Sequence, residues 1–81
     1  MPRFFFDIIN AEDFTPDNFG IELDDDEEAR QQAISLLPEI AREELPNGDY
    51  HAFTVKARNE DGTVVYEASL TLTGKWRPEQ P

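Results

Sequence analysis

The chain opens on an alternation of period two. Phe4, Phe6 and Ile8 fall on one side of an extended segment, and Phe5, Asp7 and Ile9 on the other. This predicts a strand over residues 4–9. Both of its faces are largely apolar, which suits the interior of a sheet better than its edge. Asn10 to Asn18 is polar and contains Pro16, so a loop is expected there. Gly20-Ile21-Glu22-Leu23 then predicts a short second strand that returns as a hairpin partner of the first.

A change of period marks the next element. Ala29, Ala33, Leu36, Leu37, Ile40, Ala41 and Leu45 recur at helical spacing and define one apolar stripe, while Arg30, Gln31, Gln32, Glu39, Arg42 and Glu43 fall mainly on the other side. Asp24 or Asp25 is placed to cap this helix, with Glu27 or Glu28 three residues on. Pro38 interrupts the pattern and predicts a kink, because its ring removes one backbone hydrogen bond and presses on the carbonyl of Ile34. Pro46-Asn47-Gly48 is the expected stop.

The last third reads as a hairpin. Phe53, Val55 and Ala57 alternate with Thr54, Lys56 and Arg58, and Val64, Tyr66, Ala68, Leu70 and Leu72 with Val65, Glu67, Ser69 and Thr71. Asp61-Gly62 supplies the turn. A two-residue loop there pairs 57 with 66, 55 with 68 and 53 with 70 on one face, and sets Lys56 opposite Glu67 on the other. A three-residue loop would reverse the parity and bury Glu67 and Ser69, so an even-length loop is expected. The elements together predict an α+β domain of order β-β-α-β-β over residues 1–75, an antiparallel sheet with one helix packed on one face. Residues 76–81 form a polar, Pro-containing tail.

Composition narrows the chemistry. The 81 residues contain no cysteine, which removes disulfides, thiolate nucleophiles and Cys-based zinc sites. No run approaches the roughly 18 apolar residues of a membrane span, and Asp7 interrupts Phe4-Phe5-Phe6 before a secretory signal can form. Eighteen acids against seven bases give a net charge of −11, which argues against a phosphate-backbone binder. Ten of the acids and a single base, Arg3, lie in residues 1–28.

Pro2-Arg3-Phe4-Phe5-Phe6-Asp7, then Asp17, Gly20 and Leu23, then Ala29-Arg30 and Ala33, and Asp61-Gly62 form a familiar series. Over about residues 2 to 72 the chain resembles a family of small uncharacterised proteins, common in rhizobial and related alpha-proteobacteria and described as a domain of unknown function. Many of its members have an Asp-Gly turn soon after the first strand, where this chain has Asn10-Ala11. The resemblance implies a small cytoplasmic bacterial protein and carries no activity with it.

Each candidate site has a plain structural alternative. Asp24-Asp25-Asp26-Glu27-Glu28 suggests calcium, but an EF-hand loop starting at Asp24 needs Gly and Glu where this chain has Ala29 and Ser35. A solvated helix start is the favoured reading, with weak divalent binding behind it. His51 is the only histidine, and nothing places Ser35 or Ser69 beside it, so a structural role is expected. Arg3, Lys56, Arg58, Lys75 and Arg77, with Phe5, Tyr50 and Trp76 nearby, suggest a basic strip for single-stranded bases, against the overall negative field. The four glycines are isolated and form no phosphate loop.

Phe5, Ile9, Val65 and Trp76 are left for the sheet face opposite the helix, where they make a contact patch if the first and last strands are neighbours. The function expected is therefore a non-enzymatic interaction module, acting on a protein partner or on itself as a homodimer through that open face or an edge strand. No catalytic residue, cofactor, nucleic acid or membrane is expected. The competing readings are an acidic regulator that covers a basic surface of a nucleic-acid-binding protein, and a small ligand-binding protein or enzyme with its site at an oligomer interface.

Overall fold

The computed structural model describes residues 2–11, 13–45 and 48–78. Strand β1 (Arg3–Asn10) is followed by two short strands, β2 (Asp13–Thr15) and β3 (Ile21–Glu22). Helix α1 (Asp26–Glu44) leads to the long strands β4 (Tyr50–Arg58) and β5 (Val64–Thr73). All pairings are antiparallel. The sheet runs β2-β1-β4-β5, and β3 joins the far end of β1 on the same side as β2. The α+β class follows as the sequence predicts, with one strand more. That strand is β2, which lies in the stretch expected to be loop. Its three residues are exposed, and it exists because the chain turns at Ala11 and lays Asp13–Thr15 back along Asn10–Ile8. Ala11 makes that turn in the left-handed region, at φ 56°.

The cap of α1 joins the two residues predicted for it. Asp25 accepts a hydrogen bond from the Glu28 N–H at 3.0 Å, and the Glu28 carboxylate accepts from the Asp24 N–H at 2.9 Å. The helix continues through Pro38, which is exposed on its outer side, and ends at Leu45. There the Leu45 N–H still reaches the Ala41 carbonyl while the backbone turns extended. Pro46 and Asn47, the first two residues of the expected stop, lie outside the described residues.

Ala29, Ala33, Leu37 and Ala41 are the buried stripe. Three of the four are alanines, so the helix sits close over β4 and β5. Beneath it lie Phe4, Phe6, Phe53, Val55 and Ala57, with Leu36, Ile40 and Leu45 at the margin. Leu70 and Leu72 alternate onto the same face as Tyr66 but are 41% and 37% exposed, because β5 is the last strand of the sheet and α1 does not reach past it.

The β4–β5 register matches the one deduced from alternation: Ala57 pairs with Tyr66, Val55 with Ala68, Phe53 with Leu70 and Lys56 with Glu67. The loop does not. The Gly62 N–H donates to the Asn59 carbonyl at 3.0 Å, and the Asn59 N–H to the Thr63 carbonyl at 2.9 Å, which leaves a three-residue loop, Glu60–Gly62. Its odd parity is cancelled by a bulge. Arg58 pairs with Val64 but Ala57 with Tyr66, so Val65 is the extra residue. Gly62 has φ 86° and open space where a Cβ would stand. Gly62→Ala is therefore expected to cost about 1 kcal/mol from backbone conformation alone, read as a lower urea midpoint at unchanged slope.

Candidate functional site

The sheet face opposite the helix is organised by charge. Asp7, the one acid of β1, stands among apolar neighbours and is buried. Arg58, two residues along β4 from Asp7's cross-strand partner Lys56, donates to both Asp7 oxygens, at 2.7 and 3.2 Å. Arg58 also donates to the Asp17 carbonyl at 3.0 Å, and its guanidinium lies 4.8 Å above the centre of the Phe5 ring. The Asp17 N–H returns to Asp7 at 2.9 Å. The Asp17 carboxylate then accepts three backbone N–H groups: Phe6 at 3.1 Å, Phe19 at 3.0 Å and Gly20 at 3.1 Å.

These bonds set the ionisation of the group. Burial pushes the Asp7 carboxyl up, but the hydrogen bonds from Arg58 and from the Asp17 N–H, with the guanidinium charge, hold it below the ordinary carboxylate value. Burial likewise opposes ionisation of Asp17, and the Phe19, Gly20 and Phe6 N–H donors outweigh it. The bond to Asp7 holds Arg58 more firmly protonated. Two ionised carboxylates with every oxygen engaged are built to fasten the 17–20 loop against β1, not to exchange a proton.

Phe5 is thus half-buried beneath Arg58, and Ile9 is half-buried opposite Thr54. β4 separates β1 from β5, so Val65 does not adjoin them, and the bulge turns Val65 against the margin of the core. Trp76 is 87% exposed. The four residues expected on one contact patch are therefore not brought together.

The acidic run is spread over the helix start. Asp25 caps, Glu28 closes the cap on Asp24, and Glu27 pairs with Arg30 at 2.9 Å. No group of three or more metal-ligating side chains converges among the described residues. His51 is buried on the helix side of β4, stacked on Phe53 with ring centres 4.5 Å apart and hydrogen-bonded to Asn10. Of the residues suggested for a basic strip, Arg3 pairs with Glu22 at 3.5 Å and Arg58 with Asp7.

Two surfaces remain. Phe6, Ile8 and Leu36 line an open groove of about 350 Å³ between β1 and α1, closed at one end by Pro16 and Ile21. The second is the free edge of β5. The Gly74 N–H donates to the Asp49 carbonyl, which makes 49 and 74 a hydrogen-bonded pair in the β4–β5 register. Antiparallel ladders alternate, so Tyr66, Ala68, Leu70 and Leu72 turn their backbone groups to β4. Glu67, Ser69, Thr71 and Thr73 turn theirs outward, to no strand among the described residues. The 2.9 Å contact between the Thr54 and Ser69 hydroxyls fits this phase, because side chains approach most closely at non-hydrogen-bonded pairs.

This is a small open-faced antiparallel sheet with a single covering helix. A family model described as a domain of unknown function (DUF6894) matches residues 3–71, and the chain belongs to that family. No curated protein and no solved structure matches it. Among the described residues no helix is long and apolar enough to cross a membrane.

Proposed function

We propose that this protein is a non-enzymatic interaction module that docks an extended segment of protein along β5, in the cytoplasm of an alpha-proteobacterium. One observation carries the reading: a ten-residue edge strand that, among the described residues, lacks the usual protection. Proteins blunt such edges with prolines, lysines, mid-strand bulges or a covering loop. β5 has no proline and one charged residue, Glu67, and its bulge lies at the turn end, where it leaves Tyr66–Thr73 in unbroken register. Strand addition to such an edge gains main-chain hydrogen bonds, with alternate side chains setting specificity. The edge is favoured over the open face because Arg58 already covers Phe5.

Capture from lysate tests it, with wild type and Thr71→Pro compared at low and high salt. The Thr71 N–H points outward, so proline there removes an edge donor without breaking the β4–β5 ladder. Partners that persist at high salt and are lost with Thr71→Pro are expected. Partners lost at high salt but kept by Thr71→Pro would move the function to the acidic surface of residues 1–28 and overturn the edge reading.

A further inference from the structure

We infer that the segment docked on β5 is β5 of a second copy, paired antiparallel about a two-fold axis through Leu70. The inference rests on the reading of β5 as a docking edge and adds its occupant and register.

Symmetry limits the registers. An antiparallel pair of identical strands has its axis perpendicular to the sheet, which keeps both helices on one face and pairs residues of like orientation. The outward-facing groups of β5 belong to Glu67, Ser69, Thr71 and Thr73, and their midpoint is residue 70. Centred there, Glu67 meets Thr73 of the second copy and Ser69 meets Thr71. Every outward N–H and C=O of those four residues is then paired, and no acid lies opposite an acid. A shift of the centre in either direction leaves some of them without partners.

The side chains agree with that centre. Leu70 and Leu72 are the partly exposed leucines of the helix face, at 41% and 37%. In this register Leu70 meets its own copy and Leu72 meets Ala68, at non-hydrogen-bonded positions where side chains lie closest. The helix adds a second line of contact. α1 lies over β4 and β5, and strands are spaced by about 4.8 Å, so the axes of the two helices come to roughly 10 Å, close to the packing distance of helices. The side of α1 that faces the dyad is fixed by Arg30, whose guanidinium lies over the Tyr66 ring of β5. Ile34 follows Arg30 by one turn on that side and is 41% exposed. The second helix would cover it.

Charge opposes the pairing little along the strands and more between the helices, where Asp26–Glu44 carries six acids against Arg30 and Arg42. Residues 1–28 hold ten acids and one base, a net −9, whereas Tyr50–Thr73 holds Lys56 and Arg58 against Glu60, Asp61 and Glu67, a net −1. The acidic field lies mainly at the first loops and the helix start, and β5 is the edge remote from β2 and β3.

The test uses sedimentation of the whole chain and two cysteine variants, which the cysteine-free sequence makes unambiguous. Wild type is expected to sediment as a dimer at high micromolar concentration. Thr71→Pro is expected to sediment as a monomer with its far-ultraviolet spectrum retained. Under mild oxidation Leu70→Cys is expected to become a covalent dimer, since its two Cα atoms would stand within disulfide reach. Thr73→Cys is expected to form no covalent dimer on a denaturing gel run without reductant, because its copies would be roughly 20 Å apart along the strands. A wild type that remains monomeric, or cysteine variants that cross-link alike, would overturn the inference. If Thr71→Pro unfolds, the cysteine pair decides. A monomeric wild type whose captured partners are lost with Thr71→Pro would end self-pairing and leave the interaction module standing.

Discussion

Asp17→Ala is expected to lower the stability of the fold by about 3 kcal/mol. The carboxylate accepts hydrogen bonds from three backbone N–H groups, of Phe6, Phe19 and Gly20. Stranding a buried donor costs about 1–3 kcal/mol, and the Phe6 N–H, inside the sheet, stands at the upper end. Asp17→Asn keeps one acceptor oxygen and is expected to lose less. Asp7→Ala should fall near Asp17→Ala, because it leaves Arg58 without its carboxylate in a partly buried place; the solvent that still reaches Arg58 keeps the loss below that of a fully buried pair. Urea denaturation checks all three, and a loss under about 1 kcal/mol for Asp17→Ala would show that water replaces the carboxylate.

Acid carries the same signature. Both carboxyls titrate below their ordinary value of 3.8 in the folded chain. Their stabilisation is complete above that value and disappears as pH falls through the lower folded-state values, because the unfolded chain takes up protons first. Wild type is therefore expected to lose stability steeply in that acidic window. Asp17→Ala should show a shallower dependence there, measured as the urea midpoint against pH.

Gly20→Ala should be about as damaging as Asp17→Ala, and far more so than Gly62→Ala. Gly20 has φ 72°, and a Cβ there would stand 2.8 Å from Phe5 Cε2, 2.9 Å from Arg3 Cγ and 2.9 Å from the Phe4 carbonyl oxygen. The carbonyl belongs to Phe4, paired with Ile21, and cannot withdraw without loosening β1 from β3. Both glycines carry the conformational penalty of roughly 1 kcal/mol, and only Gly20 adds a steric one, for a total of about 3 kcal/mol. Thermal melts of the two variants side by side separate the contributions. Equal losses would mean that the 17–20 loop shifts freely and that its bonds to Asp17 are weak.

These effects mark the division between what the residue pattern shows and what it hides. β1, the capped helix and the β4–β5 register follow from periodicity, because each is settled by neighbours within a few residues or by the parity of one hairpin. The Val65 bulge is hidden because it cancels the odd loop: two irregularities together leave the same pairing as none. β2 is hidden because Asp13-Phe14-Thr15 buries nothing and is held only by pairing with β1. The Asp7–Asp17–Arg58 network joins residues 10 and 51 positions apart, beyond any local pattern. Its one visible trace is Asp7 itself, an acid set between Phe6 and Ile8. The free edge of β5 depends on strand order, which alternation does not encode, and the partly exposed Leu70 and Leu72 follow from it.

The position of β1 also bears on how the protein is made. Its partners in β4 lie 43 to 53 residues later, from the Asn10–Phe53 pair to Phe5–Arg58. On the ribosome the first strand emerges well before the strand that completes its ladder, which follows only after the whole of α1. β2 and β3 can pair with β1 early, but the ring of Phe4 and the ring of Phe6 stay without the Phe53–Val55 side of their enclosure until the last third has left the tunnel. Long-range pairing of this kind slows folding and leaves a phenylalanine-rich segment open to wrong partners during synthesis. The acidic run Asp24 to Glu28 follows soon after it and adds like charge that opposes association between waiting chains.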